Sequence, residues 1–86
     1  MSNEEQILIC AVRYALGRRS YIVGVVADYV EAKKDELSEQ CKAIIVRDIQ
    51  EEYDFYHRRG MTLGDDCDES VWLNLAFSLK VGADHE

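Results

Sequence analysis

Proline is absent from the whole chain, so no position loses its backbone donor or clashes with a preceding turn, and helices can run until a cap or a glycine stops them. Apolar residues then recur at spacings of three and four over most of the length, the period of a helix with one buried face. There is no Gly/Ser-rich linker, no low-complexity tract and no internal repeat, and 86 residues suffice for one core only. The expectation is a single all-α domain, a bundle of about four helices.

Ser2-Asn3-Glu4-Glu5 reads as a capping box opening a first helix of about residues 3–16. Ile7 to Val12, Tyr14, Ala15 and Leu16 cover nearly its whole circumference, which predicts packing on several sides. Gly17 is a natural left-handed stop. The β-branched stretch from Tyr21 to Val30 is the one candidate strand. Val26, Tyr29, Val30 and Lys33 keep helical spacing and no second strand is available, so a helix is read over about 23–34. Leu37, Cys41, Ile44, Ile45, Ile49, Tyr53 and Tyr56 form the longest stripe, a third helix of about 37–58 that should be the spine, ended by Gly60. After a loop, Asp68 is the expected N-cap of a fourth helix of about 69–80, with Trp72, Leu75, Ala76 and Leu79 buried and Leu73 and Phe77 widening that face. The tail from Gly82 is expected to fray, and most of the five tyrosines fall on the apolar stripes and are expected in the core.

The longest apolar run is far too short to span a bilayer and the N-terminus is acidic, which predicts a cytoplasmic protein without a membrane role. Cys10, Cys41 and Cys67 are odd in number and widely spaced, so reduced core or near-core thiols are expected. No phosphate loop, dinucleotide fingerprint, nucleophile elbow or paired-histidine metal motif occurs. The expectation is a protein that is not an enzyme and holds no cofactor. Cys67 with the flanking aspartates and His57 could form a mixed metal site, but the pattern lacks zinc-module spacing, and a helix cap is the plainer account.

Net charge is −7, and it is uneven: residues 1–44 carry seven acids and six bases, residues 45–86 ten acids and four bases. Direct binding to nucleic acid is disfavoured, because that normally needs a basic face. A partner with a basic surface is expected instead. Two acidic groups are the candidate partner-binding residues. Asp48, Glu51 and Glu52, with Asp54 adjacent, form a ladder on the third helix, and Asp65, Asp66, Asp68 and Glu69 cluster at the start of the fourth. Side chains three or four apart stand about 5–6 Å from one another, which approximates the phosphate spacing of a nucleic acid strand. A solvated face is the ordinary alternative. Arg13, Arg18, Arg19, Lys33 and Lys34 offer an opposing basic patch or simple charge balance.

The run Ala11-Val12-Arg13-Tyr14-Ala15-Leu16-Gly17-Arg18-Arg19-Ser20-Tyr21, the mid-chain Asp48-Ile49, and Gly64-Asp65-Asp66-Cys67-Asp68 followed by Trp72 resemble small proteins carried by phages and prophages of Gram-positive bacteria. Phage proteins of this size and acidity are similar to anti-CRISPR inhibitors. The resemblance implies that the partner is a CRISPR-associated nuclease in a bacterial host, blocked by steric and electrostatic exclusion of nucleic acid. It carries no functional residue over position by position. Two other readings stand beside it: a phage structural or assembly protein acting through homo-oligomerisation, and a small metal-binding regulator. A monomer or a homodimer is compatible with the sequence.

Overall fold

The computed structural model describes residues 2–16, 21–64 and 66–83. They form four α-helices: α1 (Asn3–Ala15), α2 (Tyr21–Lys33), α3 (Glu39–Arg58) and α4 (Asp66–Ala83), with one 3₁₀ turn, Lys34–Glu36, after α2. No strand occurs among the described residues. The β-branched segment of α2 is helical from its start, because its Val23, Ala27 and Val30 share one face that the bundle buries. The all-α bundle expected from the period is the architecture found.

Helix ends follow local chemistry. Ser2 and Glu5 make the full capping box: the Ser2 hydroxyl accepts from the Glu5 amide at 3.2 Å, and the Ser2 amide donates to Glu5 Oε1 at 3.3 Å. Ser38 caps α3 by accepting from the Cys41 amide at 3.1 Å. Glu5 also receives the Ser38 amide at 2.7 Å, so one carboxylate ties the starts of α1 and α3 together. α3 ends in a Schellman turn: Gly60 donates to the His57 carbonyl at 3.0 Å and Met61 to the Tyr56 carbonyl at 2.9 Å, with Gly60 at φ +72°. α1 stops at Leu16, whose backbone is extended. The expected stop at Gly17 lies outside the described residues.

α1 packs against α2 and α3, and α4 packs against the same two helices from the other side, with α3 and α4 sharing the largest contact. The core draws Leu8, Ile9 and Val12 from α1, Val23 and Val30 from α2, Cys41, Ile45 and Ile49 from α3, and Trp72, Leu75 and Leu79 from α4. Leu63, in the α3–α4 loop, is fully buried and plugs this core.

Several expectations are corrected. α1 is not packed all round: Ile7, Cys10 and Tyr14 are exposed, because its two neighbours cover only one side. Tyr14 and Tyr29 are more than half exposed, and Leu73 and Phe77 lie on the solvent side of α4. α4 begins at Asp66, so Asp68 sits inside its first turn and is not its N-cap. It also continues to Ala83 through Gly82, which lies in its last turn and so escapes most of the cost of about 1 kcal/mol that a glycine carries in a helix interior. Among the described residues, no helix is long and apolar enough to cross a membrane.

Candidate functional site

The acidic ladder begins with a pairing that the sequence hides. Asp48 stands one helical turn from the core residue Ile45, and its side chain is 10% exposed. A carboxylate so placed needs a compensating charge. Arg13 of α1 supplies it, with Nε donating to Asp48 Oδ2 at 2.7 Å. The hydrogen bond that Arg13 donates to Asp48, and then the charge of that carboxylate, raise the Arg13 guanidinium above its ordinary pKa, with Glu51 adding a smaller attraction through space. Asp48 is therefore a buried tether between α1 and α3, and its carboxylate is already engaged.

Glu51 and Glu52, one turn further along α3, have no cation within ion-pair distance among the described residues. Together with Arg13, Leu16 and Asp48 they line a shallow cleft of about 230 Å³ between α1 and α3. Asp54 does not line this cleft; it is exposed, and its Oδ1 accepts from the Gln50 side-chain Nε2 at 3.3 Å. Three members of the ladder thus come together, one of them neutralised, and the fourth stands apart.

Of the second acidic cluster, Glu69 and Asp68 are taken up by the fold. Glu69 is 16% exposed, with one oxygen 2.9 Å from His57 Nε2 and the other accepting the Leu63 amide at 3.1 Å. It latches the loop that carries the Leu63 plug, and His57 in turn stacks on Tyr53 with ring centres 4.1 Å apart. Asp68 is half-buried and packs directly under Gly64, where φ is +79°. Asp65 and the side chain of Asp66 lie outside the described residues, as does the side chain of Cys67. Among the described residues, no group of three His, Cys, Asp or Glu side chains is arranged to hold a metal. His57 is committed to Glu69 and Tyr53.

Two surfaces escaped sequence reasoning. Between α3 and α4, a groove of about 380 Å³ has Lys42, Arg47 and Lys80 around Ala43, Val46 and Leu79. Between α1 and α2, a trough of about 410 Å³ is lined by apolar residues and Tyr29, with Glu4 as its one charged member. The signal for the trough was present as the surplus of apolar residues on α1. Choosing which of them face outwards required the positions of α2 and α3.

Comparison of the chain with protein-family models, with curated proteins and with solved structures gives no match.

Proposed function

We propose that the protein is a non-catalytic binding domain that docks the acidic wall of α3 onto a basic surface of a macromolecular partner. The observation that carries the reading is the pair Glu51 and Glu52, which stand beside the Arg13–Asp48 tether with no cation in ion-pair contact among the described residues. Adjacent like charges slightly destabilise a helix. Here the tether holds the backbone beneath them in place, so the wall is preorganised for a positive surface. On the resemblance to phage-borne inhibitors, the partner is a CRISPR-associated nuclease, and the acidic side chains occupy the channel meant for nucleic acid phosphate.

The test measures binding of the full chain to a purified, guide-loaded CRISPR nuclease across a salt series, together with target-DNA loading. Affinity should fall as salt rises. Glu51→Gln combined with Glu52→Gln should lower it by about tenfold or more at physiological ionic strength while the melting temperature holds. Binding that ignores salt, with target DNA loading normally, overturns the mechanism.

A further inference from the structure

Four of the large apolar side chains exposed on this protein lie on one face, made by α1 and α2. Ile7 is 68% exposed, Tyr14 57%, Val25 55% and Tyr29 54%. Cys10, also exposed, lies between Ile7 and Tyr14 on the outward stripe of α1. Scattered single apolar residues on a surface need no explanation, but a contiguous patch marks an interaction site. In a chain with 31% charged residues, the trough that runs through this face has Glu4 as its one charged member.

We propose that this face is where a second copy of the chain docks, in a two-fold dimer independent of the acidic wall. Electrostatics selects the occupant. Two copies each carrying −7 repel wherever their acidic surfaces meet, and a basic partner would be drawn to those same surfaces. Among the described residues the α1/α2 face carries charges of both signs, Glu4 in the trough and Lys33 over the Tyr29 ring at 5.7 Å, so two like copies can approach there without that cost. Shape selects it too. The outward ridge of α1, running through Ile7 and Tyr14, lies beside the trough floored by Ala11 and Val26. A two-fold rotation then seats each ridge in the trough of the other copy, the self-complementary geometry of isologous helix packing.

The area is sufficient for a modest dimer. With roughly 200 Å² per tyrosine and roughly 100 Å² per Ile or Val side chain, the four exposed residues offer about 350 Å². Adding floor and rim brings this to about 500 Å² per copy, or about 1,000 Å² in all, near the lower bound for a specific interface. An interface near that bound belongs to the weak, transient class, so pairing is to be sought at micromolar concentrations and above.

Sedimentation equilibrium of the full chain between about 5 µM and about 500 µM, a range that spans a micromolar constant, tests the proposal. The mass should rise with concentration from 9.9 kDa towards twice that value, and added salt should not weaken the association. Ile7→Glu and Val25→Glu, both at exposed positions, should each hold the chain monomeric with an unchanged circular dichroism spectrum. Phe77→Glu on α4 should leave pairing intact. As a readout on the unaltered face, a short bismaleimide should link two copies through Cys10 in a Cys67→Ser chain. A monomer at every concentration overturns the proposal, as does a dimer that survives both face substitutions or one that only Phe77→Glu dissolves.

Discussion

Gly60 and Gly64 have nearly the same backbone and very different neighbours, which makes them a matched pair for measuring a close approach. Both lie in the left-handed region, at φ +72° and +79°, where an alanine costs about 1–2 kcal/mol. A Cβ at Gly60 would meet nothing within 4 Å, so Gly60→Ala should cost only that. A Cβ at Gly64 would stand 2.9 Å from Asp68 Cβ and 3.0 Å from its Oδ2. The carboxylate can swing aside, but the β-carbon is fixed to the first turn of α4, so the loop or the helix must shift. Overpacking of this kind adds about 1–3 kcal/mol. At about 4–8 °C per kcal/mol for a domain of this size, Gly64→Ala should melt roughly 4–24 °C below Gly60→Ala. Thermal melts followed by circular dichroism, with urea titrations to confirm an unchanged slope, give both numbers. Melting temperatures equal within about 2 °C would refute the close packing of the α3–α4 loop on α4.

Two further outcomes follow from the ends and the core of the helices. The Ser38 backbone hydrogen bond, with smaller help from Ser2, holds Glu5 below its ordinary pKa of 4.5. Its contribution to stability is thus complete above that value and is lost as pH falls through the lower folded-state pKa. Glu5→Gln should lower the melting temperature at neutral pH and close the gap with the parent as pH drops below 4.5; a gap that stays constant into acid would remove Glu5 as the link between α1 and α3. Burial raises the Cys41 thiol, whereas Cys10 is exposed. In a dilute Cys67→Ser chain, a maleimide should therefore modify one thiol quickly and the second only after unfolding, and fast labelling of both would contradict the buried position of Cys41.

Local signals were legible in the sequence and pairwise ones were not. The capping box at Ser2 and Glu5, the stripe of α3 and the glycine that ends it are each written within a few residues, and each has its expected counterpart. The face that α1 buries was not readable, because Ile7, Leu8, Ile9 and Val12 are interchangeable to a periodicity argument until α2 and α3 stand on one side. Asp48 read as one rung of a solvated ladder because its partner Arg13 lies 35 residues away. Glu69 read as part of an acidic cluster for the same reason, since His57 and the Leu63 amide reach it only when the loop folds back. Charge pattern along a chain locates acids, and only the fold separates those that tether from those that remain on offer.

That separation bears on how the two proposed surfaces would act together. The acidic cleft lies where α1 meets α3, and the apolar trough where α1 meets α2, so they flank opposite sides of one helix and can be occupied at once. A dimer joined through the trough carries two acidic walls. A partner offering two basic patches within reach would then be held by both, with an effective concentration for the second contact that a monomer lacks. The two contacts respond oppositely to salt: screening weakens the wall's attraction, while apolar pairing is kept or strengthened. Affinity that falls with salt while the mass stays that of a dimer is the combination that requires both surfaces. Ile7→Glu should then weaken a bivalent partner without altering Glu51 or Glu52, because it removes the second wall and leaves the first in place.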